Sequence, residues 1–372
     1  MLDMTNVWQE IREEERTQLP IYFPPPVYYS LNSAVNLSVL LTMPEAHKWF
    51  CNCMIQLAFH KDWKTDREDH PLDIYPANMV RIGRHGGLLF AYEHVIDVGG
   101  TILKAEREAF MEHVMKWIDN GLYILSYADV SKMPGTKYYG GPECVHDFMV
   151  FGYHKAGKTV KTMNFNDREQ LDVVDISFQN LEDAVYSRLG RKVFTLLMPR
   201  KRQAYEFDTD LFCTFLSDYL NGRNTAKRYA HFADTYGEYW WGLEIYEPFQ
   251  EFIEYSHENL DSIDYRPFHA LYEHKKSFLG SMQYIRSIYS IDDSMEYELK
   301  MEKLVRDAEM LRMMALKYRR RKSGTIVRRM NRLLSDIAAE EKDILQRYEA
   351  VVNTIRNSQE PSGTVRKERL NL

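Results

Sequence analysis

Cys51, Cys53, His146 and Asn164 are the residues of this chain whose types and order suit chemistry. A thiol becomes a strong nucleophile as a thiolate, and a helix N-terminus or a nearby imidazole lowers its pKa. A third group then fixes the imidazole through its other nitrogen, a part that asparagine or aspartate can play. Either Cys51 or Cys53 would be the nucleophile, His146 the base and Asn164 the orienter, with Asn166 the neighbouring alternative. Such a set forms a covalent acyl-thioester on the protein and passes the acyl group to water or an amine.

The positioning elements follow from periodicity and punctuation. Thr42-Met43-Pro44-Glu45 reads as a capping box with an early proline. It predicts a helix from there to about residue 59 that carries both cysteines. Apolar spacing predicts a helix over 105–119, stopped by Asn120-Gly121, and then a buried strand over 122–128. A turn-rich loop, 133–142, leads to a hairpin of 148–154 and 159–164, turning at Lys155-Ala156-Gly157-Lys158. That hairpin would bring His146 and Asn164 to one end of a sheet. A short helix over 178–186 and a strand over 193–198 follow.

Residues 1–20 read as a loose or helical acidic lead-in, and 62–76 as a polar loop. Pro24-Pro25-Pro26 stiffens the entry to a strand that starts at Val27-Tyr28-Tyr29. Beyond about residue 205 the period turns helical, with Phe207, Leu211, Phe215 and Tyr219 on one face. Two long helices are predicted at 293–320 and 325–356, antiparallel across the break Lys322-Ser323-Gly324. The expected organisation is a lead-in (1–26), an α+β domain (27–204), a helical domain (205–357) and a disordered tail (358–372).

Composition narrows the class. The chain has 372 residues, 45% of them hydrophobic and 27% charged, as expected of folded soluble domains. A formal net charge of -6 supplies no broad basic field, so nucleic acid is not the expected partner. Four cysteines in a chain this long are no disulfide framework and point to a reducing, cytoplasmic setting. Residues 1–16 lack an apolar h-region, so no signal peptide is expected. No apolar run reaches the ~18–20 residues of a membrane span. Twenty-five tyrosines suit either a partner surface or an aromatic core.

Weaker signals have plainer explanations. Gly157-Lys158-Thr159 lacks the upstream glycine of a phosphate loop and sits in a hairpin turn. Cys51-Asn52-Cys53 has no second pair at zinc spacing. Arg319-Arg320-Arg321-Lys322 is a basic helix end that complements the helix dipole.

Over 121–186 the chain resembles the cysteine-peptidase-like domain of butirosin-type acyl-transfer proteins, relatives of the papain-like peptidases that cleave double-glycine leaders. The residues that carry this are Gly121-Leu122-Tyr123-Ile124, Asp129, Pro134, His146-Asp147 and Phe151-Gly152-Tyr153. Trp49-Phe50, Ile55-Gln56-Leu57, Tyr265-Arg266-Pro267-Phe268-His269 and Glu273-His274-Lys275-Lys276 resemble the version found beside bacterial nonribosomal peptide and polyketide genes. The resemblance spans most of 27–290. It implies a papain-like α+β fold with a C-terminal helical extension. It also implies a cysteine-dependent acyltransferase that takes an acyl thioester from an acyl or peptidyl carrier protein to an amine acceptor. No metal or nucleotide cofactor is implied; phosphopantetheine would come only as the carrier's arm. His146 matches the family histidine, and Asn164 stands where an aspartate is usual. The family nucleophile falls near Asn52, between the two cysteines, and no glutamine lies about six residues upstream to build an oxyanion hole. The alternatives are a catalytically inactive binding partner of a synthetase and a cysteine peptidase.

Overall fold

The structure, a computed structural model, describes residues 3–65, 71–75, 79–81, 88–90, 96–102, 106–190, 192–199, 205–228, 238–260, 262–289 and 294–358. The expected disordered tail lies outside them, apart from Ser358. The strands are β1 (Val7–Trp8), β2 (Ile11–Glu13), β3 (Arg16–Gln18), β4 (Ile21–Tyr22), β5 (Gln56–His60), β6 (Leu72–Tyr75), β7 (Met79–Arg81), β8 (Leu88–Phe90), β9 (Ile96–Ile102), β10 (Tyr123–Asp129), β11 (Val145–His154), β12 (Thr159–Phe165), β13 (Leu171–Ser177), β14 (Val193–Pro199) and β15 (Tyr239–Trp241). The helices are α1 (Leu31–Leu40), α2 (Pro44–Cys53), α3 (Phe110–Asp119), α4 (Phe178–Val185), α5 (Thr209–Leu220), α6 (Tyr246–Asn259), α7 (Arg266–Tyr289), α8 (Ser294–Arg320) and α9 (Gly324–Ser358). The class is α+β, with an antiparallel sheet and a C-terminal helical region. No described helix is long and apolar enough to cross a membrane.

The chain divides into two compact units, one of residues 2–48 and 80–206, the other of 49–79 and 207–372. The boundary falls inside α2, between Lys48 and Trp49, and not in a linker. Residues 49–79 therefore group with the helical region, whereas the expected 27–204 domain kept them with the sheet. The lead-in differs too: residues 7–22 form short strands, of which β3 pairs with β11. Residues 27–29 form no strand; the helix α1 follows them.

In the sheet unit the antiparallel order is β13-β12-β11-β10-β14-β9, extended by β3 and β2. Strand alternation assigns its faces. Ser126 lies opposite both Phe148 and Phe194. The Phe194 ring sits 5.8 Å from Phe110 and 5.6 Å from Trp117, which places α3 on that face. Met163 lies opposite Met149 on the other face, where the Ser38 hydroxyl of α1 reaches its sulfur at 3.6 Å. Apolar residues on both faces of β11 follow from cover on both sides.

In the helical unit, β15-β5-β6 form a small sheet. Phe59 of β5 centres an aromatic cluster with Trp63, Trp240, Phe249 and Phe252. The helix expected to run to residue 59 thus ends at Cys53, and 56–60 is a strand. Gln56 explains part of this: its side-chain amide donates to the Phe215 carbonyl at 3.0 Å and to Thr225 Oγ1 at 3.1 Å.

Gly242 turns the chain from β15 towards α6 at φ +54°, and a Cβ there would lie 1.9 Å from the Tyr219 carbonyl oxygen. No side chain at 219 can move that backbone atom aside. Gly242→Ala is expected to cost at least ~2 kcal/mol. Urea unfolding checks it, and an unchanged midpoint would contradict the close approach.

Candidate functional site

The two candidate thiols are packed away. Cys51 is 5% exposed and Cys53 1%. Both lie in the last turn of α2, at the negative end of its dipole, which disfavours a thiolate. Burial pushes the Cys51 thiol up to about 12, against the weaker opposing hydrogen bond from Ser281. Asn52, the position that the resemblance gives to the nucleophile, is committed to structure. Its side-chain amide donates to the Asp208 carbonyl at 3.0 Å, and the Asp208 N–H donates back to Asn52 Oδ1 at 2.7 Å. Asp208 in turn caps α5 by accepting from Leu211 N–H at 2.9 Å. Asn52 therefore ties the end of α2 to the start of α5.

His146 and Asn164 belong to the sheet unit, and both thiols to the helical unit. Val150 pairs with Thr162, so alternation puts His146 and Asn164 on one face at one end of the β11–β12 pair. The His146 side chain is about a third exposed, and its Nδ1 lies 2.5 Å from the Asp147 carboxylate. Tyr138 lies against the ring, with centroids 5.7 Å apart. A carboxylate following a histidine at a strand start was a legible cue to Asp147 as a ring orienter. Asn164, 4% exposed, accepts from Phe165 N–H at 2.8 Å through Oδ1. Its Nδ2 finds no hydrogen-bond partner among the described residues. Asn166 shapes the next turn: its Oδ1 accepts from Arg168 and Gln170 N–H at 2.9 and 3.0 Å.

The same end of the sheet is anchored by Asp129. Its Oδ1 accepts from the Ser131 hydroxyl at 2.7 Å, Cys144 N–H at 3.1 Å and Ser131 N–H at 3.2 Å. Burial pushes this carboxyl up, but these donors and Lys132 outweigh it, so its pKa lies below the ordinary carboxylate value. A depressed folded pKa stabilises the fold above the unfolded value of ~3.9 and loses that contribution as pH falls through the folded one. Asp129→Asn is expected to cost ~1–3 kcal/mol at neutral pH by burying an amide donor in place of Oδ2. It also flattens the acid limb of stability against pH, as urea unfolding at pH 2–7 would measure. An acid limb as steep as the wild type's would refute the assignment.

The helical unit holds a second cluster, enclosed and closed on itself. Lys275 of α7 donates to Glu341 Oε1 of α9 at 2.5 Å, Tyr219 OH of α5 at 3.1 Å and His274 Nδ1 at 3.3 Å. Tyr219 donates to Glu341 Oε1 at 3.1 Å, and the Tyr246 hydroxyl of α6 donates to Oε2. His274 Nε2 lies 2.7 Å from the Ile55 carbonyl, which only accepts, so Nε2 carries the proton and Nδ1 the lone pair that meets Lys275. Three ammonium protons meet three acceptors. Burial, and then Lys275, hold the His274 pKa well below its usual value. Burial also lowers that of Lys275, which the Glu341 carboxylate opposes. Lys275 and Glu341 are fully buried, so the cluster fastens four helices and presents nothing to a substrate. Its cue in the sequence was His274-Lys275 within the apolar stripe of Phe268, Leu271, Phe278 and Met282.

Among the described residues no group of three or more His, Cys, Asp or Glu side chains is placed to hold a metal ion. In comparison with known proteins, no family model matches the chain and no curated protein matches it.

Proposed function

We propose that this chain is a papain-like α+β protein with a helical extension that works as a non-catalytic partner of carrier-bound acyl groups. The setting would be cytoplasmic assembly of bacterial specialised metabolites. The state of the thiols carries this reading. Cys51 is buried at a helix C-terminus with its thiol pushed up to about 12, and Asn52 between the cysteines is spent on Asp208. The carrier protein comes from the resemblance.

A second reading is acyl transfer. Cys51 or Cys53 would attack the carrier thioester, His146 would take the thiol proton and return it to the departing phosphopantetheine thiol, and Asp147, which lies at Nδ1, would hold the imidazole with Asn164 on the same face. An amine would then release the acyl group as an amide. The shared face of His146 and Asn164 favours it.

Intact-mass measurement after mixing with acyl-carrier protein, alongside carrier binding by calorimetry, decides between them. Expected are carrier binding, no acyl adduct, and the same affinity in the Cys51→Ala/Cys53→Ala variant. An adduct on the wild type that disappears in the double variant establishes acyl transfer. Absence of carrier binding rejects both readings.

A further inference from the structure

Helix α8 buries Met301, Leu304, Ala308, Leu311, Ala315 and Tyr318, the stripe that faces its neighbours α7 and α9. Its opposite side exposes Met295, Leu299, Met310 and Met313, each 51–57% accessible. Glu302 and Arg306 lie between the two apolar pairs, 4.0 Å apart. At 3.6 residues per turn all six fall within roughly 80° of the helix circumference. They form one stripe about 27 Å long at 1.5 Å per residue. Two exposed apolar pairs on one helix face, flanking an ion pair, are more than scattered surface leucines and methionines.

The order of the stripe is a palindrome about Leu304: two apolar residues, an acid, a base, two apolar residues. We propose that α8 is a self-association surface on which a second copy of this chain packs antiparallel across a two-fold axis level with Leu304. In that register Met295 meets Met313 of the second copy, Leu299 meets Met310, and Glu302 meets Arg306, each contact occurring twice. An isologous interface requires this reciprocity. The parallel register sets Glu302 against Glu302 and Arg306 against Arg306 at the centre and is repulsive. Lys303 beside them is held by Asp307 at 2.8 Å and by Glu340, which offsets its charge near the axis. Charge complementarity thus selects a second copy and sets its direction.

A helix pair of this length covers on the order of 400–500 Å² a side, below the ~800 Å² of a standard interface. The dimer is therefore expected to dissociate in the range of ~10–100 µM.

Sedimentation equilibrium of the full chain between ~1 and ~300 µM tests this. Glu302→Arg should weaken self-association at least tenfold, and adding Arg306→Glu should restore it to within about threefold, because the swapped pair is again complementary. In a Cys144→Ser background, a Met295→Cys chain mixed with a Met313→Cys chain should cross-link, and neither alone. Circular dichroism confirms that these surface variants fold. A monomer throughout the range overturns the proposal, as does a dimer indifferent to Glu302→Arg. Cross-linking of Met295→Cys with itself overturns the antiparallel register. A monomer whose Met295→Cys thiol becomes reactive only after removal of residues 359–372 would show that the chain's own end is the occupant instead.

Discussion

Lys275→Met alone, or Glu341→Leu alone, is expected to lower stability by ~3–5 kcal/mol, because each leaves its partner charged, buried and unpaired. The surviving ammonium or carboxylate cannot reach water, since both side chains are fully buried. Lys275→Met/Glu341→Leu removes both charges together and should recover much of the loss, as apolar replacement of a buried pair often does. Recovery is partial because the hydroxyls of Tyr219 and Tyr246 lose their shared acceptor. Adding Tyr219→Phe and Tyr246→Phe should recover more, since no donor is then stranded. Urea unfolding of the full set gives the coupling energy. Costs that simply add would mean that the two side chains do not act as a pair.

Alkylation of the native protein should spare Cys51. A pKa moved from 9.0 to about 12 leaves roughly a thousandth of the thiolate of an unperturbed thiol at neutral pH, before any steric block. Burial likewise pushes Cys213 up to about 11. Half-buried Cys144, whose thiol is raised by burial and by the nearby Asp129 carboxylate, should react first. Iodoacetamide labelling resolved by peptide mass, run at pH 8 with and without urea, measures all four. Cys51 or Cys53 labelling ahead of Cys144 in the native protein would restore the thiol enzyme as the first reading.

The β11–β12 hairpin shows where local reading works. Its short apolar runs and its turn at Lys155-Ala156-Gly157-Lys158 are satisfied within thirty residues, and β10, α4 and β14 lie within a residue or two of expectation. Helices α8 and α9 were equally legible, since long apolar stripes tolerate no other period. Residues 54–60 defeat the same rule. A short apolar run is compatible with a buried strand or a helix, and β5 is a strand because β6 pairs with it on one side and β15, from a distant part of the chain, on the other. The N-terminal strands were not legible for the same reason: β3 carries Arg16-Thr17-Gln18, of which only Thr17 favours a strand, and its partner β11 lies far along the chain.

The amino-acid sequence by itself determined the α+β class, the hairpin that sets His146 and Asn164 on one face, and the long helices α8 and α9, because each depends on spacing within one or two neighbouring elements. Tertiary structure alone decided that Cys51 and Cys53 are buried thiols, that Asn52 serves Asp208, and that Lys275 meets Glu341. Those outcomes depend on which distant groups surround a side chain and exclude water from it. Local spacing can place a polar side chain on an apolar face, as it does Lys275, but it does not say which distant group answers it.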